Sequence, residues 1–243
     1  MPDTAERARL ERQRGIREIV FGAQDGLLTT LGIVTGMGSA TVDRSTIVLT
    51  GMLALTVGAL SMGVGEYLGG KAEREVVENA IEYERHEMIE KPDEEYAEQV
   101  GFYKLKGFTQ AEARMIVDRL IKNPEIWLHE MVRDEFGIDP RIAQEQGVGS
   151  AFAMAGSFVL GAFVPIVPYL TPLSLSGAIG VALLLAICVL FGIGVFAGRL
   201  SGRNPIRKGL EITAFGAGLF AVSYVMGHFI APLFGKGVVN VGG

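Results

Sequence analysis

Charge is missing from three long windows of this chain. No Asp, Glu, Lys or Arg occurs from Ile47 to Gly65, from Gln146 to Gly198, or from Ile212 to Gly235. Runs of about 18 or more such residues exclude an ordinary soluble domain and read as membrane-spanning helices. Cysteine is nearly absent as well. Cys188 stands alone in an apolar run, which excludes an intrachain disulfide and a thiolate metal cluster. An apolar stretch ahead of the first span is also lacking. Met1–Glu18 is polar and Arg-rich, so it does not read as a secretory signal peptide.

What is present organises around five spans, at about 19–40, 47–69, 149–169, 176–198 and 210–234. The first is interrupted by Asp25 and the second ends with Glu66. Pro168 and Pro172 in "VPYLTPLS" divide the longest window into two spans, because proline stops helices and favours turns. Each span is long enough for a hydrocarbon core of about 30 Å at about 1.5 Å per residue. Basic residues set the orientation. Arg7, Arg9, Arg12, Arg14 and Arg17 precede span one, and Arg199, Arg203, Arg207 and Lys208 separate spans four and five. The opposite flanks hold Arg44 and Lys236. The positive-inside rule then puts the N-terminus and residues 70–148 in the cytosol, and the C-terminus on the far side.

The expected fold class is therefore all-α: a five-span helical membrane protein with a helical cytosolic domain inserted between spans two and three. The divisions are a cytosolic tail (1–18), spans one and two (19–69), the cytosolic domain (70–148), spans three to five (149–234) and a non-cytosolic tail (235–243). The short N-terminal tail suits a prokaryotic plasma membrane, with a vacuolar membrane as the alternative.

Charge is concentrated in the inserted segment. Between Lys71 and Glu145 lie 19 of the 27 acidic residues and 11 of the 22 basic ones, so the segment is about eight charges negative. Such a surface suits a cationic ligand and argues against nucleic acid. Span two is expected to run on as a helix as far as Pro92. A second helix follows at about Asp93–Leu105. Thr109 caps a third, with an apolar stripe at Ala113, Ile116, Val117 and Leu120. Asn123-Pro124 breaks it, and a last helix closes at Gly137.

Spacing places several donors on common faces. Glu84 and Glu87 share one face, Glu95 and Glu98 another, and Met131 and Glu135 a third. Converging, these helices would make an oxygen-rich site with one soft corner, suited to a divalent cation. The plainer alternative is a solvated acidic face with Met131 in the core. His86 and His129 do not complete a Glu-x-x-His pattern, since Tyr83 and Ile126 stand three residues before them, and they read as surface or packing residues. Within the membrane, Asp25 is costly and so a functional candidate. Counting from the cytosolic ends puts Asp25 and Met62 at nearly one level, roughly 9–10 Å deep, with Glu66 on the Met62 face. The pairs Gly22/Gly26, Gly32/Gly36, Gly58/Met62 and Gly65/Gly69 permit close helix approach. His228 in span five reads as a partner in an interhelical hydrogen bond.

Four of these stretches, in order, resemble the vacuolar iron transporter family. "FGAQDGLLTTLGIVTG" is similar to its first span and "ALSMGVGEYLGGKAERE" to its second. "ERHEMIEKPDEEYAEQ" and "WLHEMVRDEFGIDP" are similar to its cytosolic metal-binding domain. The resemblance implies a homodimer with five spans per chain and a pore lined by the first spans between protomers. It implies ferrous iron moved out of the cytosol in exchange for protons, with manganese as a further substrate and no covalently bound cofactor. Asp25 and Met62 match the family's pore carboxylate and thioether. Glu84, Glu87, Glu95, Glu98 and Glu135 match the metal-domain glutamates, and Met131 a metal-site methionine. Val132 stands where the family often has a second methionine. The resemblance thus implies a secondary transporter rather than an enzyme. Two rivals follow from the residues: a membrane-bound ferroxidase or iron-storage-like protein, and a metal sensor on a structural membrane domain.

Overall fold

The computed structural model describes residues 4–40, 43–138 and 148–230. Every regular element among them is helical. The helices are α1 (Thr4–Ala40), α2 (Arg44–Glu90), α3 (Pro92–Leu105), α4 (Gln110–Leu120), α5 (Pro124–Phe136), α6 (Val148–Ile166), α7 (Leu175–Leu200) and α8 (Pro205–Ile230). Five stretches are long and apolar enough to cross a membrane: Gly15–Ala40 of α1, α2, Val148–Leu170, α7 and Pro205–Phe229 of α8. This is a multi-pass membrane architecture. The helix over Thr4–Ala40 joins the Arg-rich N-terminal segment to span one without a break. Helix α6 ends at Ile166, just before Pro168. The chain then tightens into a 3-10 turn over Val167–Leu170, which needs one fewer residue per hydrogen-bonded ring and tolerates proline at its start. The expected end of span five at 231–234 and the tail at 235–243 lie outside the described residues.

The chain divides into two compact units: the described parts of Met1–Glu66 and Val148–Gly243, and that of Tyr67–Gly147. Helix α2 contributes to both. At 47 residues it is about 70 Å long, more than twice the thickness of a hydrocarbon core. Its charge-free part is 47–65, so the spanning segment is taken as 47–69.

In the first unit α1 and α6 pack along their small residues. A side chain at Gly26 would meet the Phe158 carbonyl carbon at 2.9 Å and Ala162 N at 3.1 Å, and one at Gly161 would meet Ala23 Cα at 2.9 Å. Only glycine lets the two backbones approach this far. Leu27, Leu31 and Val34 fill the core against Phe158, Ala162 and Ile166, with Ala178, Ala182 and Ala186 of α7 closing it. Gly65 and Gly69, expected to pack similarly, face open space: a side chain at either would meet nothing within 4 Å. Among the described residues His228 has no interhelical hydrogen bond; its ring lies parallel to Tyr224 on its own helix, 6.5 Å between centroids. The connections are tied by local caps. Asp43 accepts from Ser45 and Thr46 backbone N–H at the start of α2, and Arg44 donates to the carbonyls of Thr171 and Leu173.

In the second unit each helix end carries its own signal. Pro92 opens α3 and three acids fill its first turn, where the helix dipole favours negative charge. Thr109 and Glu112 form a reciprocal capping box on α4, and Ala113 and Val117 are its buried stripe. Asn123 caps α5, with Pro124 at its first position and Gly137 ending it at φ 68°, a left-handed value that glycine adopts without cost. Tyr96 Oη donates to Asp118 Oδ1 at 2.8 Å, tying α3 to α4. Trp127, Leu128, Met131 and Val132 are the buried face of α5.

Candidate metal site

The second unit buries three polar side chains, Glu84 of α2 and Glu95 and Gln99 of α3. Glu84 is 0 % exposed, and no donor is offered to either of its carboxyl oxygens. Taking a carboxylate out of water without partners strongly favours its neutral form. Burial, then the neighbouring Glu135 and Glu95 carboxyls, push Glu84 up to about 9. Both act by charge and by a carboxyl–carboxyl hydrogen bond that needs the proton on Glu84. Glu95 is raised by its own burial, against a hydrogen bond from Glu84 that lowers it, and by the charges of Glu98, Glu87 and Glu135. Glu98 is raised by partial burial and then by Glu135 and Glu87.

The five glutamates singled out from spacing thus form one connected set of electrostatic neighbours, from three different helices. They are not equivalent. Glu84 and Glu95 are buried, Glu87 is half-buried, and Glu98 and Glu135 are exposed. Lys91 Nζ holds Glu87 at 3.0 Å and keeps its carboxyl below the ordinary range. No three His, Cys, Asp or Glu side chains among the described residues already stand close enough to grip one ion. Met131 is fully buried, and Val132 beside it likewise, so the thioether packs within the core of this unit. His86 is exposed and pairs with Glu90 at 3.3 Å, and His129 is half-buried.

The membrane residues occupy one series rather than one level. Gly22 lies against Met154 and Ser157 of α6, and Gly26 against Phe158 and Ala162, so Asp25 is level with about Phe158–Gly161. Gly58 meets the Phe158 ring, and Gly63 lies against Ala151 and Ala155. Met62 is therefore roughly one turn, on the order of 5–8 Å, nearer the start of α6 than Asp25. Glu66 lies a further turn along. Depth counted from assumed span ends misplaced them because neither helix ends at the membrane: α1 begins at Thr4 and α2 runs to Glu90. Asp25, Met62 and Glu66 are all half-buried. An open groove of about 580 Å³ between α1 and α8 has only uncharged residues in its lining, Gly32, Gly36 and Ser223 among them, and does not include these three.

The family model described as the VIT family matches residues 16–228. The chain belongs to the VIT family. It is 30% identical over 218 residues to "Vacuolar iron transporter 1" of Arabidopsis thaliana, covering 88% of this chain and 86% of that protein. It is 31% identical over 214 residues to "Vacuolar iron transporter 1" of Tulipa gesneriana, covering 87% and 85%. "Vacuolar iron transporter" of Toxoplasma gondii is 27% identical over 228 residues, covering 90% and 76%.

In this VIT-family chain, two participants in the buried cluster escape spacing arguments aimed at metal-binding glutamates. Gln99 is 0 % exposed and donates Nε2–H to Asp134 Oδ2 at 2.9 Å. Asp134 also accepts from Lys106 Nζ at 2.5 Å. A signal was available: Gln99 is four residues after Glu95, on the same face of α3.

Proposed function

We propose that this VIT-family chain is a secondary transporter, not an enzyme, that moves divalent metal out of the cytosol in exchange for protons. Ferrous iron is the principal substrate and manganese a further one. The observation that carries this reading is Glu84, fully buried with no donor offered to either oxygen and with the Glu135 and Glu95 carboxyls beside it. An unpaired buried carboxyl is unfavourable, and a divalent cation relieves that cost by supplying the missing partner. The donor set is hard oxygen, which suits ferrous iron and manganese. Exposed Glu98 and Glu135 can swing about their side-chain torsions to complete the grip, with Glu95 and Glu87 behind them. Met131, as fully buried as Glu84, would add one soft donor.

Proton exchange follows from the same carboxyls. At neutral pH Glu84 holds a proton, so metal entry expels it and an acidic side reverses the exchange. The acidic unit collects cation from the cytosol and concentrates it near the pore. Glu66, Met62 and Asp25 then form successive steps into the membrane, each about one helical turn from the next. The positive-inside rule supports a cytosolic N-terminus and cytosolic residues 70–148. The working unit is a homodimer with the pore between its α1 helices, set in a prokaryotic plasma membrane or, as the relatives are named, a vacuolar one. A ferroxidase reading gains nothing from the histidines, since neither completes a Glu-x-x-His pattern and His86 pairs with Glu90.

The test is anaerobic ferrous iron flux into proteoliposomes with and without an imposed pH step. Flux should rise with the step, and Asp25→Asn should abolish it while leaving metal binding intact. Flux indifferent to the step refutes proton exchange, and flux unchanged by Asp25→Asn refutes the pathway.

A further inference from the structure

Gln99 is unlike the other buried groups of its cluster because it is neutral and anchored at one end only. Its Nε2 donates to Asp134 Oδ2 at 2.9 Å, while its carbonyl Oε1 is buried and has no partner. The anchor is itself fixed. Asp134 is 6% exposed at its side chain and bonded by Lys106 at 2.5 Å, with Arg133 Nε at 4.0 Å. Turning the amide over would set its oxygen against the Asp134 carboxylate, two acceptors with no proton between them. The orientation is thus determined by Asp134, and Oε1 faces away from it.

The surroundings say what that oxygen serves. Gln99 follows Glu95 by one turn on the same face of α3, and both are buried. Asp134 directly precedes Glu135, whose carboxyl acts on Glu84. Gln99 therefore lies between Glu95 on its own helix and the Asp134–Glu135 pair of α5. Two sets of buried oxygens, those of Glu84 and that of Gln99, occur in one cluster. Neither receives a donor from the protein.

We infer that Gln99 Oε1 is a neutral ligand to the divalent cation held by Glu84 and Glu95, with Asp134 and Lys106 as the pair that positions it. This rests on the reading that the cluster binds divalent metal. Amide carbonyls serve such hard cations alongside carboxylates. A neutral ligand adds coordination without further negative charge, so the ion is held less tightly than by another carboxylate and can leave.

The experiment uses the full chain in detergent with Mn²⁺ as probe. Calorimetry gives affinity, and water-proton relaxation reports the waters on bound Mn²⁺. Gln99→Leu should weaken binding about tenfold and raise the relaxation enhancement, because a water replaces the lost amide. The variant also gives up the Nε2–H donated to Asp134, so the metal-free melting temperature is followed alongside to show that it stays folded. If Gln99→Leu does not fold, Gln99→Asn, which withdraws the carbonyl by one methylene, should show the same weakening and relaxation change. A folded variant with wild-type affinity and relaxation overturns the assignment. Glu84→Gln separates the two levels: if it loses Mn²⁺ while Gln99 variants keep it, only the Gln99 assignment falls. If Glu84→Gln also binds normally, or the native chain does not bind Mn²⁺, the metal-site reading falls with it.

Discussion

Glu84→Gln preserves the shape of the buried side chain and removes its proton chemistry, so it isolates what that carboxyl costs the fold. In the folded chain its pKa is pushed from 4.5 up to about 9. One pKa unit corresponds to about 1.4 kcal/mol. The folded state keeps a proton that the unfolded chain releases, so the unfolded state binds fewer protons and stability falls as pH rises from about 4.5 to about 9. At pH 7 the loss is about 3 kcal/mol, an upper bound because Glu84 and Glu95 titrate together. Glutamine has no proton to release. Metal-free Glu84→Gln should therefore exceed the native chain in stability by up to about 3 kcal/mol at pH 7, with the advantage vanishing near pH 4. Urea unfolding of the full chain in detergent can read this through Trp127, the one tryptophan, buried on α5. A variant no more stable than the native chain at pH 7, or one with the native dependence on pH, refutes the argument.

Other consequences are independent of that measurement. Mn²⁺ affinity should rise about tenfold per pH unit for each proton expelled, up to about pH 9; calorimetry in buffers of different ionisation enthalpy reads the proton count, and a flat profile from pH 6 to 8 would contradict it. Gly26→Val should disrupt the α1–α6 contact at a cost of at least about 1–3 kcal/mol, because its Cβ meets backbone atoms, whereas Gly65→Ala, with open space around it, should be neutral or gain up to about 1 kcal/mol from helix propensity. Melting temperatures of the two variants should move in different directions. Thr109→Ala removes the side-chain half of the α4 capping box and keeps the backbone N–H of residue 109 on Glu112; it should cost about 1 kcal/mol in the same Trp127 unfolding assay.

The spans were legible because a backbone in hydrocarbon must satisfy its own hydrogen bonds and avoid charge, a requirement each stretch meets alone. The three windows without charge accordingly fall in α2, in α6 and α7, and in α8, while span one, carrying Asp25, lies in α1. Thr109, the Asn123-Pro124 break and Gly137 were legible for a similar reason, since caps act within a turn or two of chain. Periodicity also put Glu84 with Glu87 and Glu95 with Glu98. It could not tell which of each pair is covered, because burial depends on what another helix lays over it. Only the tertiary structure made Glu84 and Glu95 buried, left Glu98 exposed, closed Met131 into the core and enlisted Gln99 through Asp134. The stagger of Asp25 and Met62 was hidden likewise. Depth is a relation between helices set by side-chain contact along α6, and no count along a single stretch of sequence contains it.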